Sequence, residues 1–547
     1  MKTKNPVLST LLIAVLLISF TSWGDASAQA LRAEIQNGVL YVKPGGEGDC
    51  SSWDKACDLQ DALTKSIVGD QIWAAEGTYK PTTGTDRSAT FQLESGVALY
   101  GGFAGIETSL TERDWVNNLT TLSGNIGVPE ITDDNSYHVV TGSDVDATAI
   151  LDGFSITGGN ADGNPAFYDD SGGGLYNYSG SPTLKNLTFL GNSADYNGGG
   201  MCNSYYSSPT LNDVIFSVNN SFSKGGGLDN YYSSPKLTNV TFSSNTASYE
   251  GGGLHNFYSS PSLTAVTFNS NTAISGGGMY NYESSPSLTK VIFSENTVSG
   301  DDSYGGGIFN TYDSRPNLTD VTFSDNSASH GGGMYNEINS NPTLTNVTFS
   351  ENTATQYGGG MYNLLGSNPT LTNVTFSDNS AVHFGGGIYN SFSSPILTNV
   401  TIYANEALQG GGIYNAGDTG EPTNPTVTNA IIWGNIGGQI GDGTNSWAAI
   451  NYSVIQDGYT AYTGTGNITD NPNLDSVLAN NGGFTMTHAL LEGSPAIDAG
   501  DPNKCPKTDQ RGFYRPIDGD DVIGARCDMG AYEYGSALFL FLPIIVR

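Results

Sequence analysis

Gly-Gly-Gly occurs ten times in the middle of this chain, starting at residues 172, 198, 225, 251, 276, 305, 331, 358, 385 and 410. The interval stays between 25 and 29 residues. Each triplet belongs to a longer phrase, read in residues 236–261 as KLTNVTFSSNTASYEGGGLHNFYSSP. A Phe travels with it, from Phe189 through Phe242 to Phe376, with Ile402 in the last copy. One unit repeated at one period specifies a solenoid, because each copy buries its apolar face only against its neighbours.

The chemistry of the unit selects the kind of solenoid. A helical repeat needs apolar residues at i, i+3 and i+4 over ten or more positions. Here Gly-Gly-Gly and Ser-Ser-Pro cut the unit into pieces rich in Val, Thr, Phe and Tyr, which favour short strands. Strand parity puts Val240 with Phe242, Leu254 with Asn256, and Asn245 with Ala247. Three short strands and three corners in about 26 residues make one coil of an all-β, right-handed parallel β-helix, a pectate-lyase-like solenoid. The residues 58–66 (DLQDALTKS) read as a helix with Leu59, Ala62 and Leu63 on one face, an N-terminal cap over the open end of the stack.

Two columns of Asn follow from this register. One includes Asn177, Asn256 and Asn415, the other Asn192, Asn245 and Asn405. A buried amide carries both donor and acceptor, so stacked Asn side chains satisfy one another from coil to coil. The Gly triplets permit a tight corner without a Cβ clash.

The ends carry an address. Lys2 and Lys4, the apolar run 11–20 (LLIAVLLISF) and Ala28-Gln29-Ala30 read as a secretory signal peptide over residues 1–30. No later segment reaches the roughly 20 apolar residues of a spanning helix, so no transmembrane span is expected in the mature chain. Residues 536–547 form a hydrophobic C-terminal tail, read as a last docked strand or a short attachment signal. Fifty-three acidic against 20 basic residues, a net charge of -33, exclude a nucleic-acid partner by repulsion. An oxidising destination suits two local disulfides, Cys50 with Cys57 and Cys505 with Cys527. Metal ligation is the alternative, disfavoured because no C-x-x-C pair or nearby His is present. Cys202 stands where other repeats carry Tyr, as a free structural thiol.

With these motifs in view, residues 41–160 (YVKPGG, SSWDKACDLQDAL, GDQIWAAEGTYKPT, LDGFSITGGNADG) resemble the start of bacterial secreted right-handed β-helix proteins. The repeats, with GGGxYN and FSxN, resemble those of the chlamydial polymorphic outer-membrane proteins. Residues 471–534 resemble the choice-of-anchor Q domain, with a departure at Asp518-Gly519-Asp520-Asp521-Val522 from that family's alternating Asp-Gly run. The resemblance implies a secreted or cell-surface protein with an adhesion or structural role. The expected organisation is residues 31–170 as N-terminal cap and first coils, 171–415 as the ten repeats, and 416–535 as last coils and the anchor-Q-like domain.

Two stripes are candidates for binding. Glu295, Asp325, Glu351 and Asp378 precede the second Asn column on four successive coils. In-register stacking about 5 Å apart makes them repel by roughly 0.9 kcal/mol even in water, and Ca²⁺ between neighbours would relieve that; a solvated acidic corner is the alternative. Tyr280, Tyr335, Tyr362, Tyr389 and Tyr414 alternate with inward residues and are expected to face outward, as a row able to stack on surface glycans or a protein partner. Coil-on-coil stacking that only stabilises the solenoid is the alternative. For an enzyme, the fold analogy offers polysaccharide lyases and glycoside hydrolases. The sparse cations of the repeats (Lys185, Lys224, Lys236, Lys290, Arg315) and the five scattered His residues do not converge in sequence, which favours a non-enzymatic role.

Overall fold

The computed structural model describes residues 38–129, 131–418, 420, 422–459, 464–518 and 524–535. The expected signal peptide and C-terminal tail lie outside the described residues. The fold is an all-β parallel solenoid of about 14 turns of roughly 27 residues. Most repeats contribute one strand to each of three sheets. The coil carrying the fourth triplet shows the pattern: Lys236–Ser243 in the first sheet, Thr246–Ala247 in the second and Leu254–Phe257 in the third. The paired strands are parallel, and like residues of successive coils face each other, such as Leu237 with Leu263, Phe242 with Phe268 and Asn256 with Asn281, with register shifts after Trp73 and after Ala328. Among the described residues no helix is long and apolar enough to cross a membrane.

The interior is one continuous hydrophobic column from Val42 to Ile455. Its spine is the travelling Phe: Phe242 and Phe268 stack with centroids 4.7 Å apart and planes within 2°. Strict alternation would bury Val240 and Phe242 but turn Leu237 outward, yet all three are buried. Asn239 between them adopts φ 53°, a left-handed residue that resets the parity inside the strand. Asn and Asp fill most of this column (Asn186, Asp213, Asp320, Asn346, Asn373, Asn399), because their short polar side chains tolerate that conformation best after glycine.

Both Asn columns are hydrogen-bonded ladders. Asn256 Nδ2 donates to Asn281 Oδ1 at 2.9 Å. In the second ladder Asn245 Nδ2 donates to Asn271 Oδ1 at 3.0 Å and to the Phe216 carbonyl at 2.9 Å, closing the corner between two sheets. The triplet Gly251-Gly252-Gly253 serves two needs. Gly251 has φ +67°, while a Cβ on Gly253 would stand 2.7 Å from the Gly278 carbonyl and 2.9 Å from Phe268.

The helix Leu59–Lys65 is N-capped by Asp58, whose side chain accepts from the Gln60 amide, and buries Leu59, Ala62 and Leu63 against the start of the column. At the other end, the chain after residue 470 does not continue the coils. It folds back over the outer face of the first sheet. Gln510 bonds Thr348 and Thr375, His488 bonds Ser377, and Asn399 donates to the carbonyls of Asp528 and Gly530. Buried ion pairs hold this segment together, Arg511 with Asp509 and Arg515 with Glu533.

Candidate functional site

The third sheet presents one outward column in register through Cys202, Asp229, His255, Tyr280, Phe309 and Tyr335. Beside it runs the residue that precedes each Gly triplet, bridged through Lys224, Glu250, Ser275, Tyr304 and His330. The outcome differs between the two halves of the solenoid.

From Phe309 to Tyr389 both columns are aromatic, and they pack on each other. Tyr304 lies 5.0 Å from Tyr335, Tyr357 lies 5.0 Å from Tyr389, and Phe384 lies 4.5 Å from Tyr414. The expected stripe therefore points away from the coil without reaching solvent. Tyr280, Tyr335, Tyr362 and Tyr389 are buried and Tyr414 is half-buried, in a second hydrophobic cluster outside the barrel. This corrects the reading of these rings as an exposed surface, because strand parity reports direction and not what the next corner lays on top.

In the earlier coils both columns turn polar, and the space the rings would fill is left as a cavity of about 360 Å³. Its floor is Tyr176, Cys202, Asp229 and His255; Tyr205, Tyr231 and Phe257 form one wall. Asn197 and Lys224 stand opposite, and the loop carrying Pro165, Tyr168 and Asp170 closes one end.

The floor and wall hold a charge relay. His255 Nδ1 meets Asp229 Oδ1 at 2.6 Å, His255 Nε2 faces Glu250 Oε2 at 3.4 Å, and Glu250 pairs with Lys224 at 2.7 Å. Asp229 and His255 are almost fully buried, at 1% and 2% exposure. Burial alone would lower the His255 pKa, but its ring N–H interactions with the Asp229 and Glu250 carboxylates, which accept, outweigh it and raise the value, favouring the imidazolium. Burial alone would likewise raise Glu250, but His255 and Lys224 bring it down to about 2. Cys202 is a free, buried thiol 3.7 Å from Asp229 Oδ2, and burial followed by the Asp229 charge holds it far above its usual range, as a thiol. Three polar atoms of cavity-lining residues have no hydrogen-bond partner of good geometry: Asn197 Oδ1, Tyr176 Oη, whose loose contact is Ser204, and His255 Nε2, whose approach to Glu250 is 3.4 Å.

This cluster corrects the expectation that the cations and His residues of the repeats do not converge. Lys224 and His255 are 31 positions apart, but they sit on adjacent coils. The signal was present in the repeats: aligned on their Gly triplets, Cys202, Asp229 and His255 replace the ring of GGGxYN.

The four carboxylates form a column at an exposed corner, each at φ 55–57°. Glu351 is pushed above its usual range chiefly by the Asp325 charge, then by burial and by Asp378. Among the described residues no group of three or more His, Cys, Asp or Glu side chains is placed to hold a metal ion, so the column offers neighbouring pairs and no cage. Cys50 and Cys57 are disulfide-bonded. Cys505 and Cys527 are free thiols in hydrogen-bond contact, a contact that lowers the pKa of Cys505 and raises that of Cys527.

Comparison with known proteins follows the architecture. The family model described as the right handed beta helix region matches residues 287–457. The Chlamydia polymorphic membrane protein repeat matches residues 239–256, which include Glu250 and His255. The crystal structure of pectate lyase Pel9A is similar at 12% identity, covering 92% of this chain and 98% of that chain, with a TM-score of 0.29. A search of curated proteins gives no match. Over these segments the chain is similar to right-handed β-helix proteins and, in its repeats, to the Chlamydia membrane-protein repeat.

Proposed function

We propose that the protein is a secreted or cell-surface β-helix that serves in adhesion by binding glycans, with its binding site in the cavity over Cys202, Asp229 and His255. The observation that carries this reading is the cavity itself. It combines ring walls, suited to sugar faces, with buried polar atoms that lack partners, suited to hydroxyl groups. Its volume is that of a small-ligand pocket. The similarity of the repeats to those of a bacterial membrane-protein family supports display at a surface. The test is a glycan array probed with the full chain and with Tyr205→Ser and Phe257→Ser. Loss of retention at an unchanged melting temperature supports the reading, and undiminished retention by both variants overturns it.

A carbohydrate-active enzyme is the second reading. One observation favours it: the Asp229–His255–Glu250 relay places a buried, oriented imidazole beside two carboxylates, the groups that acid–base chemistry uses. A reducing-end assay on every glycan retained by the array decides between binding and cleavage.

A further inference from the structure

The cavity is not electrically uniform. At the Lys224 end every charge is matched: Lys224 and His255 face Glu250 and Asp229. At the other end Asp170 lines the cavity at 9% exposure, and its carboxylate accepts a hydrogen bond from Ser171 at 3.2 Å. Among the described residues no basic side chain is paired with Asp170. Two basic groups near the neighbouring Asp169 are committed elsewhere. Arg87 pairs with Asp162. His138 is 4.0 Å from Asp169, but burial, only partly offset by a hydrogen bond to the Gly172 carbonyl, lowers its pKa to about 4 and keeps it neutral.

Further acidic groups surround the same end. Asp169 and Asp195 lie above the usual carboxylate range, through burial first and then through neighbouring charge that includes Asp170. Aromatic rings flank it. Tyr168 stacks on Tyr176 at 5.7 Å, and Tyr196 and Tyr205 complete the surround. Tyr176, 6% exposed, lines the cavity, and its hydroxyl has no more than a poorly aligned contact with Ser204. A buried carboxylate in a cavity walled by aromatic rings is the arrangement that holds an ammonium ion: charge pairing supplies one contact, and the negative faces of the rings supply the rest.

We infer that the Asp170 end of the cavity binds the ammonium group of its ligand, which makes the ligand an amine-bearing sugar and not a neutral or acidic one. This rests on the glycan reading above and narrows it. A uronate would bring a carboxylate to the Asp170 carboxylate, and a neutral sugar would leave that charge buried and unpaired. The same chemistry could come from a choline headgroup, so the probes must separate the two sources.

Calorimetry with the full chain tests the inference, using oligomers of glucosamine, the same oligomers N-acetylated, polygalacturonate and choline. The glucosamine oligomers are expected to bind at least about tenfold more tightly than the acetylated ones. Asp170→Asn, a near-isosteric change, should bring that ratio close to one. Choline binding that depends on Asp170, with no saccharide bound, would support the ammonium site and overturn the glycan reading. Equal binding of amine and acetamide, unchanged in Asp170→Asn, would overturn the inference and leave the glycan reading standing. Preference for polygalacturonate would overturn it too, and no binding of any probe would overturn both.

Discussion

Replacing Asp229 with Asn puts the relay to its hardest test. The substitution keeps shape and removes one charge from a pair held at 2.6 Å, with both partners almost fully buried. At an effective dielectric near 20 the attraction is roughly 6 kcal/mol. Desolvation of the two groups cancels part of it, and deleting one partner of a buried pair costs about 3–5 kcal/mol. Glu250 still faces the other ring nitrogen at 3.4 Å, so the lower end is expected, about 3 kcal/mol. The effect has a sign in pH. The folded-state pKa of His255 is raised above its ordinary 6.5, so the pair's contribution is fully present below that value and fades as pH rises through the raised one. Urea unfolding of wild type and Asp229→Asn at pH 6 and pH 9 should show a gap that is large at the lower pH and small at the higher. NMR titration of His255 should give a midpoint above 6.5 in wild type that falls in the variant. A cost below about 1 kcal/mol at pH 6, or a cost independent of pH, would refute the assignment of His255 as a doubly paired imidazolium.

Other expectations follow from single observations. Asn245→Ala removes the side-chain bonds to Phe216 and Asn271 and the acceptor for both the backbone and side-chain amides of Asn219, and should cost about 4 kcal/mol in urea unfolding, at roughly 1 kcal/mol per lost bond. Tyr335→Ser empties a buried ring position and should cost about 3 kcal/mol or more while leaving glycan retention intact; loss of retention without loss of stability would restore the ring row as a binding surface. Glu351→Gln should stabilise the chain at neutral pH by less than about 1 kcal/mol, and the gain should vanish as pH falls and Glu351 protonates. Calcium should shift the wild-type melting temperature no more than sodium chloride of equal ionic strength, since screening suffices at an exposed corner; a calcium-specific shift would return an ion to that column. Oxidised glutathione should join Cys505 to Cys527, taking two hydrogens from the pair and releasing two reduced glutathiones. Thiol counting should then fall from three to one, leaving Cys202, and a count still at three would exclude the pairing.

Much of the fold can be read along the chain because its interactions are local to one period. Val240, Phe242, Leu254 and Asn256 declare their direction by parity, and the Asn columns follow once one register is known. Leu237 cannot be placed the same way. Its direction depends on the left-handed turn at Asn239, and Asn occupies many other conformations with equal ease. The site is harder to read for a different reason. Its information lies in departures from the repeat, at Cys202, Asp229, His255, Lys224 and Glu250, and these look like noise until the coils are laid on one another.

The repeat phrase by itself determines a parallel stack, its three corners and the ladders inside it, since each depends only on which residue comes one period later. What covers the outside is decided by tertiary structure alone. Thr322 and Thr348 occupy the same place in almost the same words, VTFSDN and VTFSEN, yet Thr322 is half-buried and Thr348 is wholly buried. Thr348 bonds Met486 and Gln510, which lie 138 and 162 residues further on. The rings at Tyr335 and Tyr389 vanish beneath Tyr304 and Tyr357, while the same column at Asp229 and His255 stays open as a cavity. Burial is a property of what packs against a face, and no pattern within the face encodes its cover.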